Sequence, residues 1–452
     1  MPNQPADSFN SNLALMTDLY ELTMLQAYDQ LGFDREAVFS LFVRELPEER
    51  NFLLACGLED VVSYLEGLRF SDQDVAYLES LGLFGQDFLH RLRSFAFTGD
   101  VFAVPEGTPV FANEPILEVK APIAQAQLLE SFIMNQVHLQ TVAASKAARV
   151  VHAAKDRNVV DFGLRRIHGA DAGLKAARAF YAAGVTGTSN VLAGKLYSIP
   201  VYGTMAHSYV QIFADEREAF RSFAEIYPGT ILLIDTYDSL RAVETIIELT
   251  ETLGEDFSIS GVRIDSSDLA ELAVNVRRKL DSAGLYQVKI FASGGLDEHG
   301  VARIIRQNAP VDGFGVGTKM GVSEDAPYLD MVYKLTAYAD EDKIKISPGK
   351  ETLPGQKQVY RLEENGTMVG DVLCGHDEKQ DGRPLLRKVM AGGARLPESQ
   401  ETLEDIRHRA AREMSLLPEP LRYLSPAAEA YPVHLSEQLA ARQAALLEKH
   451  RA

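Results

Sequence analysis

From about residue 159 to residue 317 the chain repeats a short apolar run closed by polar or glycine residues. Val159–Phe162 leads into Gly163-Leu164-Arg165-Arg166, and Val185–Gly187 into Thr188-Ser189-Asn190. Pro200–Gly203 precedes Thr204-Met205-Ala206-His207, and Ile231–Ile234 precedes Asp235-Thr236-Tyr237-Asp238. Gly261–Ile264 runs into Asp265, Val288–Ala292 into Ser293-Gly294-Gly295, and Val311–Val316 into Gly317-Thr318-Lys319. Runs that are nearly continuous in apolar residues are the pattern of strands buried on both faces. Amphipathic segments separate most of them, with Leu240, Val243 and Ile247 on one predicted helix face and Leu269, Leu272, Val276 and Leu280 on another. Asp268 and Asp297 stand where N-caps belong. Gly184, Gly229, Gly254 and Gly284 stand where a helix ends in a left-handed residue. Strands alternating with helices predict a parallel α/β architecture. A barrel is the first choice and an open doubly wound sheet the second. The link Leu192–Ile199 is too short for a full helix, so the barrel is expected to be irregular.

Outside this block the periodicity changes. Residues 37–43 and roughly 97–121 read as strands, and a long apolar-periodic helix is expected from Ala124 to Ala154. Gln358–Leu362 and Met368–Leu373 flank Asn365-Gly366, a hairpin signal. The last fifty residues look helical, with Leu435, Leu439 and Leu446 on one face. The expected domains are an N-terminal α/β domain over 1–125, an irregular α/β barrel over 126–335, and a C-terminal segment over 336–452 that packs partly on the first domain and ends in a helical tail.

The 452 residues include 46% hydrophobic and 24% charged, ordinary for a soluble globular protein. A net charge of −19 argues against a general affinity for nucleic acid or an anionic membrane. Two cysteines, Cys56 and Cys374, make no disulfide framework and no metal-ligand spacing, which fits a cytoplasmic protein. The polar start suggests no signal peptide, and no apolar run is long enough to cross a bilayer.

In parallel α/β folds ligands bind at the carboxyl ends of the strands, and in barrels phosphate often lies at the loops after the last two. Arg165, Arg166, His207, Asp235, Asp238, Arg263, Asp265, Gly294, Gly295, Gly317 and Thr318 would share that rim. Ser293-Gly294-Gly295 and Gly315–Thr318 can each present backbone N–H groups to a phosphate without a Cβ in the way. Each alone is equally well a tight turn. Together, at the last two strands, they favour a phosphate cradle. An arginine at a strand end is often only an ion-pair partner, but three converging on a glycine-lined rim suit a polyanion. Asp235, Asp238 and Asp265 could hold Mg²⁺ through water or orient those arginines, and the sequence does not separate the two roles. His207, with hydroxyls at Thr204 and Ser208, is a candidate for chemistry rather than for structure.

These segments carry a resemblance. Thr17–Met24 (TDLYELTM), Asp161–Arg166 (DFGLRR), Thr186–Asn190 (TGTSN), Gly203–Ser208 (GTMAHS), Gly261–Ser266 (GVRIDS), Ser293-Gly294-Gly295 and Gly315–Lys319 (GVGTK) resemble the nicotinate phosphoribosyltransferase family, in order from about residue 12 to residue 335. GTMAHS together with DFGLRR is specific; the glycine turns alone are not. The resemblance implies an irregular barrel of the quinolinate and nicotinate phosphoribosyltransferase type beside an N-terminal α/β sandwich-like domain, and a homodimer with the site near the subunit interface. It also implies nicotinate and 5-phosphoribosyl 1-pyrophosphate as substrates in NAD biosynthesis, ATP as co-substrate and a requirement for Mg²⁺. By the same resemblance His207 is the residue ATP phosphorylates, and Tyr20, Thr204 and Arg263 contact nicotinate. Thr318 lies on the phosphoribosyl group, and Arg165 and Arg166 form the basic entry. Ser267 stands where a glycine is expected in many relatives.

Three other readings are weighed. A sister phosphoribosyltransferase would use nicotinamide or quinolinate, although Arg263 suits an acid. A Schiff-base aldolase would use Lys289, which lies within an expected barrel strand. A non-catalytic binding protein would keep only the fold, against which stand Arg165, Arg166, His207 and Arg263.

Overall fold

A computed structural model describes residues 13–265 and 268–451, without the side chains of Glu255 and Arg451. Ser266 and Ser267 therefore lie outside the described residues. The chain divides into two compact units: 146–325, and the residues up to 145 together with those from 326 on.

The 146–325 unit is built on six parallel strands, Asn158–Asp161, Gly187–Thr188, Thr230–Leu233, Ile259–Ile264, Lys289–Ser293 and Gly313–Val316. Consecutive strands pair except the second with the third, with Leu233 opposite Arg263, Ile264 opposite Ala292 and Ser293 opposite Gly315. The last strand also pairs with the first, Val316 opposite Asp161. The pairing of the last strand with the first is that of a barrel-type sheet and not of an open doubly wound one, in which those two strands are not neighbours. The ring is broken at one seam. Pro200–Gly203, expected as a full strand, contributes only a bridge between Val201 and Thr188. The preceding helix Val191–Tyr197 ends in Ser198, left-handed at φ 57°. Pro200 then has no N–H to give a ladder.

Val160, Leu232, Leu233, Val262, Ile264, Ile290, Ala292, Phe314 and Val316 are buried, as strands covered on both faces require. Helices Ala170–Ala182, Ser239–Leu253, Leu269–Ser282 and Glu298–Arg306 follow the strands. The expected helix faces are shifted by about one position. The buried stripes are Ala242, Val243, Ile246 and Leu249, and Ala270, Ala273, Val276 and Leu280. Alanine takes the most buried line and the larger leucines flank it. Asp238, Asp268 and Asp297 accept backbone N–H groups as N-caps. Gly184, Gly229, Gly254 and Gly284 have positive φ as expected.

The other unit holds a seven-stranded antiparallel sheet. Its order is Glu341–Asp342, Met331–Tyr338, Glu36–Val43, Pro115–Pro122, Asp100–Ala103, Arg387–Ala391 and Ala394–Arg395. Helices Leu19–Leu31 and Leu58–Gly67 belong to this unit. Its core includes Leu22, Leu25, Phe39, Leu41, Val119, Leu129, Phe132 and Tyr333. The helix expected over 124–154 is present as Ile123–Leu128 and Glu130–Ala154. The hairpin is Lys357–Glu364 with Thr367–Gly375, and Asn365 and Gly366 both have the positive φ such a tight turn needs. Leu435 departs from expectation: it ends a strand, Val433–Leu435, and is exposed, whereas Leu439 is sealed in the helix that follows. Cys56 and Cys374 are buried and not joined in a disulfide. Among the described residues no helix is long and apolar enough to cross a membrane.

Candidate active site at the strand ends

Strand direction places the chemistry. All six strands of the barrel unit are parallel, so their carboxyl ends share one rim, and the residues just beyond each end converge there. The first turn is set by Asp161. This buried carboxylate accepts from the Gly163 N–H (2.7 Å) and from the Thr188 hydroxyl (2.7 Å). Burial raises its pKa, and those two donors oppose the rise. The motifs DFGLRR and TGTSN are thereby tied together, and the 3-10 turn Leu164–Arg166 presents Arg165 and Arg166 to solvent. Arg166 Nη1 donates to the Thr318 hydroxyl (3.0 Å), which joins the loop after the first strand to the loop after the last.

Arg263 is the last residue but one of its strand, half-buried. Its guanidinium sits over the Phe162 ring, 5.8 Å from the centroid, and Nη2 donates to the Met205 carbonyl (3.2 Å). Two strands stand between its own and the one that leads to Phe162, so the side chain reaches across the barrel mouth. Burial lowers its pKa, and Asp265 and Asp235 raise it while Arg165 lowers it further. Two atoms here are buried without a hydrogen-bond partner, Arg263 Nε and Asp235 Oδ1. Arg44, Arg361, Arg395 and Arg422 also carry a buried nitrogen without a hydrogen-bond partner; what distinguishes these two atoms is their place together at the strand-end rim, where a ligand could supply the bond.

His207 opens the short helix His207–Gln211 and is exposed. Its Nδ1 is 3.2 Å from the Thr236 hydroxyl, a residue the sequence reading passed over although it follows Asp235 directly. Thr204 is half-buried, its hydroxyl turned to the Met205 carbonyl (3.3 Å), and Ser208 is exposed beside His207. Asp265 accepts from the Ser293 hydroxyl (2.7 Å). Gly294 has φ 103°, and a Cβ there would overlap the Asp265 carbonyl oxygen, so the position needs glycine. Gly295 has φ 62° with open space around it. At Gly317 a Cβ would crowd the Phe162 carbonyl at 3.1 Å.

The barrel unit thus brings together Arg165, Arg166, Thr204, His207, Ser208, Arg263, Asp265, Ser293, Gly294, Gly295, Gly317 and Thr318. Asp238 serves as a helix cap, its Oδ1 occupied by the N–H groups of Leu240 and Arg241. Tyr20 belongs to the other unit. It lies at the start of helix Leu19–Leu31, exposed in a cleft with Thr17, Asp18, Glu130 and Ser131, and burial and Glu130 raise its pKa. Lys289 is the first residue of its strand and exposed, at the amino end and therefore away from the rim.

Comparison with known proteins places this arrangement. The model of the nicotinate phosphoribosyltransferase N-terminal domain matches residues 15–138, and that of the nicotinate phosphoribosyltransferase family matches 157–352. A nicotinate phosphoribosyltransferase of Mycobacterium tuberculosis is 51% identical over 426 residues, 94% of this chain and 92% of its own length. This chain belongs to the nicotinate phosphoribosyltransferase family. A Bacillus subtilis nicotinate phosphoribosyltransferase is 40% identical over 84% of this chain and 79% of its own. The crystal structure of human nicotinic acid phosphoribosyltransferase superposes with a TM-score of 0.85 at 30% identity, covering 95% of this chain and 99% of that one. A Pyrococcus furiosus nicotinate-nucleotide pyrophosphorylase shares the fold, with a TM-score of 0.73 at 24% identity over 91% of this chain and 97% of its own. The strand-end rim is therefore the rim of a nicotinate phosphoribosyltransferase fold, and the Lys289 aldolase reading has neither the geometry nor the family behind it.

Proposed function

We propose that the chain joins nicotinate to 5-phosphoribosyl 1-pyrophosphate, giving nicotinate mononucleotide and pyrophosphate for NAD biosynthesis, with ATP hydrolysed through a phosphohistidine at His207. The observation that carries this reading is the half-buried, under-bonded Arg263 at the barrel mouth beside Asp235, Asp265 and Arg165. A guanidinium with unsatisfied donors suits the pyridine carboxylate, which favours nicotinate over nicotinamide. Thr204 would complete the nicotinate contacts within the barrel unit. The Ser293-Gly294-Gly295 and Gly317-Thr318 turns would hold the phosphoribosyl phosphate, with Arg165 and Arg166 at the entry.

The pyridine nitrogen attacks the anomeric carbon as the bond to the pyrophosphate oxygen breaks. Positive charge then develops on the sugar and negative charge on the leaving group, and fixed arginines stabilise that departure. Asp235, with its unpartnered Oδ1, and Asp265 fit a Mg²⁺ bound through few carboxylates and several waters, which would supply charge neutralisation on the pyrophosphate. Thr236 holds His207 by Nδ1, which leaves Nε2 to attack the γ-phosphorus of ATP with ADP as leaving group. Exposed Val191, Leu192, Leu196 and Val201 support a homodimer, and two buried cysteines not joined in a disulfide are in keeping with the cytoplasm.

Incubation with γ-labelled ATP should place acid-labile label on His207. The His207→Ala variant should lose both the label and nicotinate-linked ATP hydrolysis. Hydrolysis that persists in the variant, or a strong preference for nicotinamide in a direct substrate comparison, overturns the reading.

A further inference from the structure

Lys319 ends the GVGTK segment, immediately after the turn assigned to the phosphoribosyl phosphate. A lysine in that place invites assignment as a phosphate ligand. Its surroundings say otherwise. Nζ is 2.9 Å from Asp297 Oδ2 and 3.3 Å from Glu324 Oε2, so one ammonium already faces two carboxylates. Asp297 is itself fixed, because its Oδ1 accepts from the Gly300 N–H (2.7 Å) as the cap of helix Glu298–Arg306. The next residue, Glu298, is sealed in the interior. It pairs with Lys146 and accepts from Arg149 Nε (3.0 Å), both on the long helix Glu130–Ala154. Lys146 also reaches Asp325 (2.7 Å), which closes the ionic chain back on the segment after Lys319.

This chain of charges has a consequence for the two glycine turns. Ser293-Gly294-Gly295 is followed by Asp297, and Gly317-Thr318 is followed by Lys319. The Asp297–Lys319 pair is therefore a short strut between the two turns, placed one or two residues behind the backbone N–H groups that would meet the phosphate. Glycine-rich turns gain their N–H geometry at the expense of rigidity, since the residues that lack a Cβ constrain the backbone least. A partly buried ion pair tied to a fully buried one supplies that rigidity from outside the site.

We infer that Lys319 and Asp297 act as a positioning pair, which sets the spacing of the two phosphate-facing turns and thereby the affinity for the phosphoribosyl donor. This rests on the functional reading above and deepens it.

The test uses Lys319→Met, Lys319→Arg and Asp297→Asn in the full chain. Asparagine keeps the cap acceptor and drops only the charge. Lys319→Met and Asp297→Asn should each raise KM for 5-phosphoribosyl 1-pyrophosphate by about tenfold, with KM for nicotinate and kcat within about twofold. Lys319→Arg should recover most of the loss. The double variant Asp297→Asn/Lys319→Met should be no worse than either single one, as for two members of one contact. Calorimetric titration with ribose 5-phosphate reads the same weakening without turnover, and it applies also to a variant too unstable for assay at higher temperature. An unchanged donor KM and ribose 5-phosphate affinity in the folded variants, additive effects in the double variant, or a parallel loss in both KM values and kcat overturns the inference. If the wild-type chain binds ribose 5-phosphate but does not form nicotinate mononucleotide, the functional reading fails, while the calorimetry still decides the strut.

Discussion

Both units bury charge, and they treat it differently. In the unit made of the residues up to 145 and from 326 on, the first unit in chain order, Arg361 is fully buried and makes two hydrogen bonds to Asp371 (Nε–Oδ1 3.0 Å, Nη2–Oδ2 2.6 Å). The Phe111 and Tyr431 rings lie over its guanidinium, and the Tyr431 hydroxyl donates to the same carboxylate (2.9 Å). Nearby Lys357 is likewise sealed, donating to Ser40 Oγ (2.9 Å) and the Gly355 carbonyl (2.6 Å) and pairing with Glu118 (3.1 Å). In the barrel unit Arg263 has one hydrogen bond to a carbonyl, an unsatisfied Nε, and two carboxylates in electrostatic range. Arg361 also leaves Nη1 without a hydrogen bond, with Glu413 3.9 Å away, so the contrast lies in its bidentate carboxylate partner, which Arg263 lacks. A charge sealed against its own counterion holds architecture. A charge that is desolvated yet incompletely matched at an open strand end is kept for a ligand.

Arginine truncation breaks this contrast most directly. Arg361→Ala leaves Asp371 buried without its cation and should lower stability by about 3–5 kcal/mol in urea unfolding. Arg263→Ala should leave the unfolding midpoint near the wild-type value while kcat/KM for nicotinate falls by roughly 100-fold or more. Equal destabilisation by the two variants would remove the distinction between architectural and functional charge.

A smaller effect separates the two glycines of one turn. Gly294→Ala forces a side chain into φ 103° and against the Asp265 carbonyl, so about 1–3 kcal/mol of strain appears together with a loss of turnover. Gly295→Ala has the left-handed φ but open space, and should cost about 1 kcal/mol with most activity kept. Thermal unfolding and initial rates on the pair check this. Similar losses at both positions would mean that the close approach to Asp265 does not shape the rim.

Much of the rim was legible in the sequence because strand direction is. Once the βα rhythm of 159–317 is read as parallel, every residue following a run falls on the same end, and Arg263, Asp265, Gly294 and Thr318 are found without coordinates. Local chemistry was equally readable: Asn365-Gly366 makes its hairpin, and Asp268 and Asp297 make their caps. What escaped depends on partners distant in sequence. Asp297 was visible as a cap, but its second oxygen meets Lys319, 22 residues on, and no periodicity encodes that meeting. The helix faces were misplaced by one position because hydrophobicity ranks Leu269 and Leu272 above Ala270 and Ala273, whereas packing puts the alanines on the buried line. Pro200–Gly203 has the composition of a strand and only a single bridge, since pairing needs donors that Pro200 lacks.

The smallest effects concern protons, and they sharpen the picture of the first unit. Glu21 is fully buried on helix Leu19–Leu31, and desolvation pushes its carboxyl from 4.5 up to about 7, against hydrogen bonds from Gln127 and Tyr20 that lower it. The folded state therefore keeps a proton that the unfolded chain gives up. Its stabilising contribution is complete below pH 4.5 and declines as pH rises towards about 7. His138 works in the opposite sense. Burial lowers its pKa below 6.5, and its Nε2 accepts from the Leu329 N–H (2.9 Å), a bond that only the neutral ring can make. Its contribution is present above pH 6.5 and is lost as pH falls through the folded value. As pH falls below 6.5 the two slopes oppose each other, so the wild-type profile there should look flatter than either group alone would make it. Glu21→Gln should therefore raise stability at pH 8 relative to pH 5 by on the order of 2 kcal/mol, and unmask the acid-side loss that His138 causes. His138→Gln, with an amide oxygen to accept from Leu329, should remove that loss and leave the alkaline decline in place. Urea unfolding across pH 5–8 reads both. A Glu21→Gln profile parallel to wild type would mean that this carboxyl is ionised in the folded protein, and that a polar side chain sealed within the first unit is less well matched there than the comparison with Arg263 requires.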